Sequence, residues 1–215
     1  MSALLDSARF VKSVADLDGL PTDLLPEIAF AGRSNAGKST TINVLTRQTR
    51  LAFSSKTPGR TQLLNFFQLT KKGEKIGERI PVGYLVDLPG YGYAKASPEV
   101  RSTWENLVGG YVAESPSLKG IVLVMDARRP FMPADEFVLE FLEHRPDIRL
   151  HFLLNKADQI KTMEKRNVLK LVEDRCKTFG GRATCQLFSG LKKTGVQELD
   201  NLILEWLNYS VPAKD

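Results

Sequence analysis

Residues 32–39 read Gly-Arg-Ser-Asn-Ala-Gly-Lys-Ser, and this run limits what the chain can fold into more than any other part of it. It fits the pattern G-x-x-x-x-G-K-[ST] with no departure. Small residues at this spacing let backbone N–H groups converge on a phosphate, and a helix that follows adds the positive end of its dipole. The ammonium of Lys38 suits the β- and γ-phosphates, and the hydroxyl of Ser39 suits Mg²⁺. The flanks agree. An apolar run over 27–31 reads as a strand entering the loop, and 38–46 reads as a helix leaving it.

The rest of the chain alternates in the same way. Strand-like runs at 61–69, 82–87, 120–126, 150–155 and 182–188 are separated by helical periods, among them 98–113 and 133–143. The run 120–126 is apolar until its closing Asp126, as a strand buried on both faces is. Ser97 reads as an N-cap with Pro98 at the first helical position. The stretch 71–81 is polar and contains glycine, and suits a hairpin loop. Val168, Leu171, Val172, Cys176 and Phe179, then Val196, Leu199, Leu202, Ile203 and Trp206, mark two further helices. Cys176 is thus a core residue rather than a reactive thiol. The expected architecture is α/β: a P-loop NTPase domain with a mostly parallel six-stranded sheet, one antiparallel edge strand, and helices on both faces. Residues 1–26 are expected to be an N-terminal extension packed on a single domain at 27–208, with 209–215 as a tail.

Composition narrows the class. The longest fully apolar run, Ile121 to Met125, is far short of the roughly 20 residues of a membrane helix. The N-terminus lacks the apolar core of a secretory signal. Two cysteines and two histidines supply neither a disulfide framework nor a four-ligand zinc site, so a reduced, cytoplasmic protein is expected. His144 and His151 carry no nucleophile pattern and receive no catalytic role. The net charge is +5. Between 161 and 193, nine Lys/Arg face three acids; this is either a solvated helix face or a surface for RNA.

Three further motifs complete the site. Asn155-Lys156-Ala157-Asp158 closes an apolar strand, where α/β folds bind ligands. A carboxylate there pairs with guanine N1–H and N2–H₂, donors that adenine lacks, so Asp158 selects GTP over ATP. Asn155 bonds the carbonyl side of the base and braces the loop, and the Lys156 stem lies over the base face. Asp87-Leu88-Pro89-Gly90 closes another strand: Asp87 holds Mg²⁺ through a water, and the Gly90 N–H meets the γ-phosphate. Between these motifs, Lys56-Thr57-Pro58-Gly59-Arg60-Thr61 is a loop that presents a hydroxyl to Mg²⁺. Thr61 is the first choice for that role and Thr57 the alternative. Gly59, Arg60, Gln62 and Leu63 join the nucleotide-contacting set. Phe188-Ser189-Gly190 offers backbone N–H groups to the base carbonyl. The catalytic set is Lys38, Thr61 and Gly90. Ser39, Thr61 and Asp87 form the metal set.

With GRSNAGKS at 32–39, SKTPGRTQ at 55–62, DLPGYGYA at 87–94, MDARRP at 125–130 and NKAD at 155–158, the chain resembles the EngB group (also called YihA or YsxC) of translation-factor-type GTPases. The likeness spans about residues 8–208, with a long 71–81 insert and Gly190 in place of a serine or alanine as departures. The resemblance implies GTP/GDP binding, slow Mg²⁺-dependent hydrolysis, and a part in assembling the large ribosomal subunit through rRNA and ribosomal proteins. It also implies a role in cell division and septation. Most such switches are monomers, and no membrane partner is implied. Tyr91 stands where Ras-type GTPases carry the glutamine that orients water, so intrinsic turnover should be slow. Asn35 resembles the asparagine of potassium-stimulated GTPases; it either helps bind K⁺ or only braces the loop. Arg33, Arg60, Arg128 and Arg129 are read as solvated charges or RNA contacts rather than arginine fingers. A competing reading is an RNA- or ribosome-binding assembly module in which nucleotide is a conformational ligand with little turnover.

Overall fold

The computed structural model describes residues 2–53, 62–92 and 98–210. Among them, seven strands form one sheet: β1 (Arg9–Val14), β2 (Glu27–Gly32), β3 (Leu64–Lys72), β4 (Arg79–Asp87), β5 (Leu118–Asp126), β6 (Arg149–Asn155) and β7 (Ala183–Leu187), in the spatial order β1-β3-β4-β2-β5-β6-β7. β4, β2, β5, β6 and β7 pair in parallel, and β3 runs antiparallel to both its neighbours. The sheet therefore has one strand more than the expected six, and the antiparallel strand lies one place in from the edge. The added strand is β1, from the N-terminal segment. Its residues give no period-2 signal because only Val14 is buried and Phe10 is 55% exposed, as an outer edge strand allows.

The 71–81 insert also differs from expectation. Instead of a long loop, β3 and β4 continue pairing out to Lys72 opposite Arg79, and only 73–78 turn. Antiparallel pairing satisfies the backbone of a polar hairpin that has no core to face.

Helices are α1 (Ala3–Asp6), α2 (Lys38–Leu45), α3 (Pro98–Trp104), α4 (Gly110–Glu114), α5 (Pro133–Glu143), α6 (Thr162–Lys177) and α7 (Val196–Trp206). A π-helical turn, Glu105–Gly109, joins α3 to α4. The expected cap Ser97 lies outside the described residues.

The strand alternation builds two cores. Ala29, Ala31, Ile121, Leu123, Phe152 and Leu154 point to one face, under α3 to α6. Ile28, Phe30, Val122, Val124 and Leu153 point to the other, under α1, α2 and α7. Cys176 is buried within α6. Because β2 sits between β4 and β5, the ends of these three strands, with their loops, converge on one rim of the sheet. Among the described residues no helix is long and apolar enough to cross a membrane.

Candidate functional site: a phosphate loop joined to a base-recognition loop

The loop 33–37 leaves the end of β2 and enters α2 at Lys38. Two residues take left-handed backbone, Asn35 at φ 66° and Gly37 at φ 96°. Asparagine tolerates this conformation and glycine pays no steric penalty for it. Gly37 has a second reason to lack a side chain: a Cβ there would collide with Nδ2 of Asn155. The loop thus curls tightly, and α2 points its N-terminus into the curl.

Lys38 lies at the mouth of this loop, and its Nζ makes an ion pair with Oδ1 of Asp87, the last residue of β4. Both side chains are largely buried, at 10% and 5% exposure. Ser39 is buried one residue on. One residue expected to meet phosphate and one expected to meet metal are therefore paired with each other. A hydroxyl and a carboxylate are oxygen ligands of the kind Mg²⁺ takes alongside phosphate oxygens, so the donor set fits that ion. Thr57, Gly59, Arg60 and Thr61 lie outside the described residues. Gln62 and Leu63 are half-buried on the approach to β3, and Oε1 of Gln62 has no hydrogen-bond partner among the described residues.

The candidate base-recognition loop follows β6. Asn155 is buried and works as a brace: its Nδ2 donates to the Ala36 carbonyl at 2.9 Å, and its Oδ1 accepts the N–H of Lys156 at 2.8 Å and of Gly190 at 3.4 Å. Lys156 is left-handed at φ 62°, and its Nζ donates to the Asn35 carbonyl at 2.7 Å. Asp158 accepts the Ser189 hydroxyl at 2.5 Å, and that hydroxyl in turn accepts the Lys192 N–H at 3.0 Å. The Ala157 N–H donates to the Phe188 carbonyl at 3.0 Å. The structure thus brings 32–39, 155–158 and 188–190 together through direct hydrogen bonds.

Two carboxylates absent from the sequence-level site belong to it geometrically. Asp126, at the end of β5, receives Lys156 Nζ at 3.0 Å and the Arg128 guanidinium at 2.9 and 2.6 Å. The Arg128 hydrogen bonds hold its carboxyl well below the usual carboxylate range, against the effect of burial. Arg128 is therefore engaged rather than free. Asp135, third residue of α5, is fully buried and meets both Tyr91 and Arg33. Burial pushes the Asp135 carboxyl up and the Tyr91 hydroxyl well up. Tyr91 points into the core beside α3, its ring edge-on to Trp104 at 5.6 Å. Asp126 closes an apolar strand and precedes Arg-Arg, a hint at strand-end pairing. Asp135 sits three positions after Met132, the residue before Pro133, where an acid caps a helix; its partners have no local signal.

A curled loop between a buried parallel strand and a helix, tied to a strand-end Asn-Lys-x-Asp loop, defines a P-loop GTPase. A family model described as "50S ribosome-binding GTPase" matches residues 27–156. The chain is 44% identical to the "Probable GTP-binding protein EngB" of Burkholderia thailandensis over 222 residues, covering 100% of this chain and 97% of that one. Among solved structures, a "probable GTP-binding protein engB" aligns with TM-score 0.57 at 22% identity, over 85% of this chain and 98% of that one. A bacterial selenocysteine-specific elongation factor EF-Sec aligns at TM-score 0.57 and 18% identity, but this chain spans only 29% of it. These structural likenesses show a shared fold. The chain belongs to the EngB family of GTP-binding proteins.

Proposed function

We propose that the protein is a slow, Mg²⁺-dependent GTP-hydrolysing switch that acts in assembly of the large ribosomal subunit. The observation that carries the reading is the physical tie between the two halves of the site: Asn155 to Ala36 and Lys156 to Asn35. A ligand with phosphates at 32–39 and a base at 155–158 and 188–190 spans that tie, and a guanine nucleotide has both ends. On this reading Asp158 accepts the two guanine donors, Ser189 fixes its orientation, and Gly190 offers an amide to the base carbonyl. Lys38 exchanges Asp87 for the β- and γ-phosphates. Ser39, Thr61 and Asp87 would hold Mg²⁺, which screens the charge that develops on the leaving phosphate. Lys38, Thr61 and Gly90 act nearest the reacting phosphoryl group. Leu88 and Pro89 carry Gly90, and Gly59, Arg60, Gln62 and Leu63 complete the nucleotide-contacting set. A K⁺ held beside Asn35 would raise turnover; equal rates in K⁺ and Na⁺ at matched ionic strength would remove that part.

The ribosomal role rests on the family description and the motif resemblance; a part in cell division and septation rests on the motif resemblance alone. Residues 27–208 are the GTP-binding domain, whose sheet the N-terminal segment extends with β1, the protein acts as a monomer in the cytoplasm, and Lys/Arg between 161 and 193 meet rRNA. Titration with fluorescent GDP, GTP and ATP analogues in Mg²⁺, with Asp158→Asn alongside, tests the site. Selective guanine binding that shifts toward xanthine nucleotide in Asp158→Asn is expected; equal ATP binding overturns the reading. One observation favours the second reading, an assembly module with little turnover: the Tyr91 hydroxyl is committed to Asp135, so this side chain does not orient water. A variant that binds GTP but cannot hydrolyse it separates the two. If it still supports subunit assembly and recycles, the switch fails.

A further inference from the structure

A buried cluster joins the 87–90 segment to the phosphate loop. One oxygen of Asp135 accepts the Tyr91 hydroxyl at 2.8 Å, and the other lies 3.2 Å from Nε of Arg33. The second oxygen also accepts the Met132 N–H at 3.0 Å, which fixes the carboxylate to the start of α5. On the backbone side, Arg33 and Tyr91 form a parallel bridge that carries the β2–β4 pairing beyond the strand ends, and the Ser34 N–H donates to the Tyr91 carbonyl at 2.9 Å. The residue on the other side of Gly90 is held as well: the Pro89 carbonyl accepts the Trp104 indole N–H at 2.9 Å. Gly90 lies beside the loop: a Cβ there would stand at ordinary contact distance, 3.6 Å, from the Ser34 nitrogen.

We propose that Asp135 is a positioning residue for recognition of the third phosphate: through Tyr91 and Arg33 it holds the Gly90 amide in register with the phosphate loop and so sets how well the protein distinguishes GTP from GDP. This rests on the GTPase reading above, in which only the γ-phosphate reaches Gly90. An amide placed in advance costs the triphosphate less ordering on binding, whereas the diphosphate gains nothing from it. The same cluster explains why the side chain at 91 is a tyrosine turned inward: its hydroxyl serves the anchor.

The test is a parallel titration of the full-length wild type, Tyr91→Phe and Asp135→Asn with fluorescent GDP and a non-hydrolysable GTP analogue in Mg²⁺. Thermal melts identify any variant that fails to fold. Tyr91→Phe keeps the ring against Trp104 and removes only the hydroxyl, so it decides the matter if Asp135→Asn is lost. Loss of the Tyr91 hydroxyl in one variant, and of the Asp135 charge and one of its two acceptor oxygens in the other, should each weaken the GTP analogue roughly 10-fold while GDP affinity stays within about twofold. A merely structural role would move both nucleotides together. Equal losses for GDP and GTP, no change in either, or tighter GTP binding each overturn the proposal. Wild type that binds neither nucleotide overturns the GTPase reading, and the proposal with it.

Discussion

Nδ2 of Asn155 donates to the carbonyl oxygen of Ala36 at 2.9 Å, joining the candidate base-recognition loop to the phosphate loop across 119 positions of sequence. Asn155 is 4% exposed, so its loss leaves buried backbone groups unpaired at both loops. Each such group costs about 1–3 kcal/mol. Asn155→Ala is expected to lower GDP and GTP affinity together by roughly 10- to 100-fold, as read by nucleotide titration. A loss confined to one nucleotide would contradict the bracing role.

The pairing of Lys38 with Asp87 makes a different forecast, for the nucleotide-free protein. Removing one partner of a largely buried ion pair leaves an uncompensated charge, with a typical cost of about 3 kcal/mol. Lys38→Ala should therefore lower the urea midpoint of the nucleotide-free protein as well as abolish tight nucleotide binding. Lys38→Ala combined with Asp87→Asn should recover much of the stability and none of the binding. Equal midpoints for wild type and Lys38→Ala would show that the pair does not matter to the fold.

Asp126 holds Lys156 over the phosphate loop from the end of the neighbouring strand. In Asp126→Ala the ammonium keeps the Asn35 carbonyl as its remaining partner among the described residues. Guanine nucleotide affinity should drop roughly 5- to 10-fold, in line with one charge-assisted hydrogen bond. Arg128→Ala leaves the Lys156 contact in place and should weaken binding less. The reverse ranking would mean that Arg128, not Lys156, is the reason for the carboxylate.

His151 supplies the pH dependence. It is buried on β6, its Nδ1 lies 2.8 Å from the Thr184 hydroxyl, and burial lowers its pKa to about 4. A base whose folded pKa lies below its unfolded value of about 6.5 takes up more protons unfolded, so stability falls on acidification between those values. Relative to His151→Gln, the wild type should lose about 2 kcal/mol on going from pH 7 to pH 5. Urea midpoints of both proteins at the two pH values check this; a gap that does not change with pH would rule it out.

Some of the site was readable from residue order because the chemistry there is local. Gly32 to Ser39 must curl within eight residues and then start a helix, and the left-handed Asn35 and Gly37 are residue types suited to that backbone. Asn155 to Asp158 and Asp87 to Gly90 announce themselves as carboxylates and amides at the ends of apolar runs. The parallel α/β class followed from the same alternation of runs and periods.

Other features have no local signature. β1 escapes notice because an edge strand with one buried residue shows no alternation. The polar hairpin of β3 and β4 extends because its strands pair with each other, a matter of backbone rather than side-chain pattern. Arg33 and Arg128 read as free charges until Asp135 and Asp126 are seen beside them.

Residue order by itself determined the glycine-lysine loop at 32–39, the Asn-Lys-x-Asp run at 155–158 and the fold class, since each depends on residues within a few positions of one another. Only the tertiary structure decided that Lys38 rests on Asp87, that Asp126 steers Lys156, and that the Tyr91 hydroxyl is taken by Asp135. Those pairings form where strand ends and helix starts meet on one rim of the sheet. Distance in space, not spacing along the chain, selects which charge finds which partner.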